Sequence, residues 1–181
     1  MEDAGLLPRL IRPAVPLIAW FTARYIAHHR ARLLPGSEPI APAMRDRLRG
    51  FFPEDVLCDT RMVRASVPIP KFYSLVRILG IGGLLEMSSI GGITLVDVIA
   101  YPDRMSRSTL FHELVHVVQF RALGLPRFAG LYVRGFLDRG GYDGIPLERQ
   151  AYELEGRFSR SPKNVFSVEE DVVQRLEAGL L

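Results

Sequence analysis

FHELVHVVQF, residues 111–120, is the stretch on which the reading of this chain turns. The chain has four histidines, and two of them, His112 and His116, stand four residues apart here with Glu113 directly after the first. The flanks are almost wholly apolar. On an α-helix, residues four apart share a face, so the two imidazoles project together and offer two nitrogens to one ion. Glu113 lies about 100° round the helix from His112. That direction suits a general base reaching a water on the ion better than it suits a third ligand. The H-E-x-x-H pattern thus sets two ligands and a base on one rigid element. The competing expectation is two core histidines, each satisfied by a carbonyl or carboxylate, because LVHVVQF would bury them. A lone cysteine, Cys58, rules out a thiolate site, and imidazole with carboxylate suits zinc.

A catalytic zinc usually has three protein ligands and one open position. No histidine follows His116, and Gln119 and Ala122 stand where an extended histidine motif would continue. A downstream acid is therefore the natural third ligand. PLERQAYELE, residues 146–155, supplies Glu148, Glu153 and Glu155. As a helix, this segment places Glu148, Ala151, Tyr152 and Glu155 on one face and turns Glu153 away, as a surface acid. Glu148 and Glu155 are both feasible by direction. The small Ala151 would let the helix approach the motif most closely near Glu148.

Working outward, Ser106 or Ser108 can cap the motif helix, which runs to Leu123 and stops at Gly124 and Pro126. GGITLVDVIAYPD implies a strand over Ile93–Tyr101. VLCDTRMVRA, residues 56–65, reads as another strand, with Cys58 a small core residue. AMRDRLRGFF reads as a short helix opened by Pro42, with Met44, Leu48 and Phe51 on one side. Leu33 to Pro42 is the best linker. Residues 128–146 mix a short helical pattern with a glycine-rich loop. A helix follows from Pro146. The closing helix has a Ser167–Glu170 capping box and a stripe of Val168, Val172, Leu176 and Leu180. Leu79–Gly92 reads as turns around short strands or as an apolar flap; its GIGGLL lacks the spacing of a phosphate loop.

At 181 residues and a net charge of +3, the chain reads as one domain preceded by an arm, with the division at residues 1–34 and 35–181. Arginine far exceeds lysine, but no basic run is interleaved with aromatics, so no nucleic-acid partner is expected. AVPLIAWFTARYIA, residues 14–27, is too short for a membrane span of about 20 residues. Glu2 and Asp3 at the start argue against a secretory signal. Arg9, Arg12, Arg24, Arg30 and Arg32 flank or interrupt it, which suits a helix packed on its own domain or laid on a membrane surface. His28 and His29, at its polar end, are expected in solvent. The expected location is cytoplasmic, with peripheral membrane contact through this arm as the open variant.

Taken together, these segments resemble the glutamate-zincins. More narrowly they are similar to the bacterial DUF4157-type metallopeptidases, over about Ile40 to Phe158. The likeness is carried by APAMRDRLRGFFPEDVLCDTRMVRA, ITLVDVIAYPD, STLFHELVHVVQF and LERQAYELE. It implies an α+β, zincin-like fold, with a small twisted sheet packed on the HExxH helix. A second, glutamate-bearing helix would cross that helix, with the C-terminal helix outside. In such families the third ligand opens an E-x-x-A or E-x-x-x-D pattern. Glu148 with Ala151 matches the first, whereas Tyr152 replaces the aspartate that would orient a ligand histidine. Tyr152, Asp97 and Asp143 are the stand-ins. For the oxyanion donor the candidates are Tyr142, Tyr152 and Arg149, with Tyr142 first because it sits in the glycine-rich loop before the ligand helix. The resemblance implies a zinc-dependent metallopeptidase acting on a polypeptide laid along the strand before the motif, with Glu113 activating a water on Zn2+. The alternative is a zinc-binding processing or interaction module with weak or no hydrolysis.

Overall fold

The computed structural model describes residues 12–66, 91–138 and 142–181. A 3-10 turn at Arg12–Ala14 opens into α1 (Val15–Leu33), and a second at Leu34–Gly36 leads to β1 (Glu38–Pro39). Then follow α2 (Pro42–Leu48), α3 (Glu54–Asp59) and β2 (Arg61–Arg64). After residue 90 come β3 (Ile93–Leu95), β4 (Val98–Tyr101), α4 (Arg107–Leu123) and α5 (Leu125–Asp138). A 3-10 turn at Tyr142–Gly144 precedes α6 (Pro146–Arg160) and α7 (Val168–Glu177). The protein is α+β and mostly helical. Among the described residues its sheet has four strands in the order β1-β2-β4-β3. β2 runs parallel to β4, with Arg61 opposite Val98; the two outer pairings are antiparallel.

The motif helix α4 is buried along nearly its whole length, which explains its lack of a polar face. Its start is set locally, by the Ser106 hydroxyl accepting from the Thr109 amide at 3.0 Å. Its end is set by Gly124 at φ +72°. Phe111, beside the first motif histidine, points into an aromatic cluster. It stacks on Phe158 of α6 at 4.4 Å between ring centroids and meets Phe51 and Phe52 edge-on. Ala151, fully buried, and Leu154 complete this seam on the α6 side. Val168 and Val172 of α7 close the same core. A second core joins Phe120 and Leu123 of α4 to Phe128, Val133 and Phe136 of α5, with Ala19 of α1. So α1 packs on its own chain.

Several local expectations need correction. Only Arg61–Arg64 of the segment 56–65 is a strand; the residues before it form α3. Glu54 and Asp55 behind Pro53 favour a helix N-terminus, and this charge placement outweighs the apolar run. Val56 and Leu57 point inward, whereas Cys58 is exposed rather than a core residue. The linker segment 33–42 contains β1 and places Ile40 in the core. The single strand expected over Ile93–Tyr101 is a hairpin folded at Val96 and Asp97, with Val96 at φ +68°. The turn has no glycine; Arg30 of α1 holds it by donating to Asp97. α5 begins directly after Gly124, so Pro126 lies in the first turn of a new helix. His29 is buried, not in solvent, and Leu180 is 65 % exposed rather than part of the apolar stripe. The flap reading of Leu79–Gly92 falls mostly outside the described residues; only Gly91 and Gly92 are described.

Candidate metal centre

α4 presents His112 and His116 on one face, and α6 lies across that face with Glu148 in its first turn. Both histidines, Glu113 and Glu148 expose only 4–6 % of their surface. His112 Nε2 and His116 Nε2 are 3.2 Å apart. Glu148 Oε2 lies 3.3 Å from the first and 3.4 Å from the second. Neighbouring ligand atoms in a tetrahedral site with bonds of about 2.0–2.1 Å are roughly 3.3–3.4 Å apart, so the three atoms are spaced as zinc would need them. Among the described residues they form a group able to hold a metal ion. The expected set His112, His116 and Glu148 is thus brought together.

The remaining nitrogens are held just as closely. Gln119 Nε2 donates to Leu147 O at 3.0 Å and to Gln150 Oε1 at 2.9 Å. Its Oε1 must therefore be the atom that faces His116 Nδ1, at 2.8 Å. Nδ1–H therefore donates to Gln119, and Nε2 is the nitrogen turned toward the group. Glu155, the other acid on that face of α6, lies 3.2 Å from His112 Nδ1. It stands behind the imidazole instead of joining the three converging atoms. A carboxylate there fixes the tautomer of a ligand histidine, which is the role expected of Tyr152, Asp97 or Asp143. Tyr152 instead lays its ring against His112 at 4.5 Å, and Asp97 is paired with Arg30. The Asp143 side chain is outside the described parts.

Two tyrosines hold Glu148. Tyr142, in the 3-10 turn before α6, donates to Oε2 at 2.6 Å, and Tyr132 of α5 donates to Oε1 at 3.0 Å. Arg149 and Glu153 lie on the solvent side of α6, Glu153 paired with Arg175. Glu113 faces the sheet. The Thr94 hydroxyl on β3 donates to its Oε2 at 2.6 Å. Gly92 passes so close that a Cβ there would stand 3.0 Å from Glu113 Cγ and Oε1.

Electrostatics follow from this crowding. Burial disfavours protonated His112, but Glu148 and Glu155 outweigh it and push its pKa up to about 10. Burial opposes protonation of His116 as well, and Glu148 again prevails, upward. Burial would raise Glu148, yet the two imidazoles hold it well below the usual carboxylate range. Glu113 is raised by burial, against the pull of His116, His112 and Thr94. In the metal-free state Glu148 therefore favours protonated imidazoles, so that positive charge on the histidines faces its carboxylate where a cation would otherwise sit.

Sequence reasoning missed Gln119, Gln150, Thr94 and Tyr132. The available signal was polarity out of place: a glutamine inside an apolar helix face and a threonine inside an apolar strand. Comparison of the chain with protein-family models, with curated proteins and with solved structures gave no match.

Proposed function

We propose that the protein is a zinc-dependent metallopeptidase of zincin-like build, with His112, His116 and Glu148 as ligands and Glu113 as the acid–base group. The observation that carries this reading is the convergence of two Nε2 atoms and one carboxylate oxygen, all pairs within 3.2–3.4 Å, beside a buried glutamate on the same helix. Zinc at this position supplies Lewis acidity, which acidifies a water and polarises a carbonyl. Glu113 takes the proton from the attacking water and delivers it to the leaving amine. Burial raises its pKa from the ordinary carboxylate value, the direction that makes a carboxylate a stronger base. Thr94 keeps the carboxylate in one orientation. Tyr142 is the candidate donor to the tetrahedral oxyanion, a role for which its hydroxyl would have to turn from Glu148 Oε2, to which it donates here.

A polypeptide is the substrate class that suits the surroundings. β3 ends the sheet and, among the described residues, pairs only with β4. An extended peptide can add to such an edge by main-chain hydrogen bonds, which would lay it beside Glu113. The test is Glu113→Gln. Peptide hydrolysis is expected to fall about 10²–10⁴-fold while zinc stoichiometry stays at that of the wild type. Wild-type protein that binds zinc but cleaves no peptide in an unstructured library would favour the binding-only module instead.

A further inference from the structure

The outer face of α1 has a pattern that the candidate metal centre does not use. Its inner side chains Ala19, Thr22 and His29 are buried. On the opposite side Leu17, Trp20 and Phe21 are 59, 53 and 52 % exposed. Arg24 follows one turn later, its guanidinium 5.3 Å from the Trp20 ring centroid. His28 and Arg32 continue the row, both exposed. Steps of three and four residues put all six on one helix face. No acid occurs between Pro13 and Ser37, and Arg24, Arg30 and Arg32 alone equal the chain's whole net charge of +3. The rest of the chain is therefore neutral in sum, and the excess charge is concentrated on this helix. Arg30 is turned inward to Asp97, which leaves Arg24 and Arg32 facing out.

We propose that this face docks α1 on an anionic phospholipid surface, with the helix lying in the headgroup plane. The charge arrangement selects this occupant. Aromatic and aliphatic side chains at one end reach the acyl boundary, while the guanidiniums along the other half meet lipid phosphates. A second copy of the chain would bring the same positive charge against itself. Among the described residues no helix is long and apolar enough to cross a membrane, so the contact is peripheral. The inference is independent of the metal site.

Trp20 is the only tryptophan, so its fluorescence reports on this face alone. The full chain is titrated with phosphatidylcholine vesicles, with and without phosphatidylglycerol. With phosphatidylglycerol present, the emission is expected to move to shorter wavelength and to be quenched by lipids brominated on their acyl chains. The double variant Arg24→Gln, Arg32→Gln is expected to bind about thirtyfold more weakly, with an unchanged circular dichroism spectrum. Phe21→Ser should weaken binding while the charge dependence persists. No shift or quenching with any vesicle would overturn the proposal, as would equal binding to neutral vesicles. A lipid-free blue shift that tracks dimer formation in sedimentation would also overturn it, by assigning the face to a second copy.

Discussion

At the residue scale, Glu148 and Glu155 both carry a carboxylate to His112, but to opposite nitrogens. That difference separates their expected effects. Glu148→Ala removes one of three converging ligand atoms and should abolish tight zinc binding. Glu155→Ala and Gln119→Leu should each weaken zinc about 10–100-fold, because they free an imidazole to rotate without deleting a ligand. Competition with a chromogenic chelator measures all three. Equal, complete losses for Glu155→Ala and Glu148→Ala would make Glu155 a ligand. The proton that His112 holds up to about pH 10 in the metal-stripped protein gives a second expectation. Zinc needs the same Nε2 lone pair, so uptake at pH 7 must expel that proton. Apparent affinity should rise about tenfold per pH unit for each proton displaced, and the slope should fade towards pH 10. Calorimetry in buffers of different ionisation enthalpy counts the protons released.

At the element scale, the N-terminus of α4 rests on one hydroxyl. Ser106→Ala leaves the Thr109 amide without its acceptor and should cost about 1 kcal/mol in urea unfolding, with the slope unchanged. Caps of this kind are readable from the chain because their chemistry spans four residues. That is why α4 and the Ser167 start of α7 stand where the sequence places them; α6 has no side-chain cap and starts at Pro146, whose fixed φ suits a first helical position. The same local reasoning brings His112 and His116 together, since one helix does the work. The Val96–Asp97 turn is different. It has no turn residue of the usual kind before Asp97, and it depends on Arg30, more than sixty positions away. Gln119 looks like an oddity in an apolar face until α6 supplies Leu147 O and Gln150. The choice between Glu148 and Glu155 likewise required the packing of α6, because both acids share a face. What the sequence leaves open are contacts between elements distant in the chain.

At the scale of the whole molecule, the candidate ligands join the two helices that run through both hydrophobic cores. Phe111 and Leu114 of α4 pack with Ala151, Leu154 and Phe158 of α6 in one core, and Phe120 and Leu123 pack with Leu147 in the other. A cation shared by His112, His116 and Glu148 is therefore a cross-link between the central elements. Its removal should not unfold the protein, because protonated His112 can neutralise Glu148 in its place. That substitute has its own pH window. A histidine raised in the folded state stabilises fully below its unfolded pKa of about 6.5, and the gain is lost as pH rises towards 10. Zinc should matter more as pH rises above neutrality, where the bound proton stabilises the fold progressively less and is displaced more easily. Zinc at a hundred times its dissociation constant adds about 2.7 kcal/mol. For a chain of this length that corresponds to a rise in Tm of roughly 5–11 °C. Scanning calorimetry of the chelator-stripped and zinc-loaded protein at pH 8 reads the difference directly. Glu148→Ala should show no zinc-dependent rise, whereas Glu113→Gln should show the full one, because its carboxyl is bound to Thr94 and not to the ligand group. A wild-type Tm unmoved by zinc would return His112 and His116 to the role of core residues satisfied by Glu148, Glu155 and Gln119.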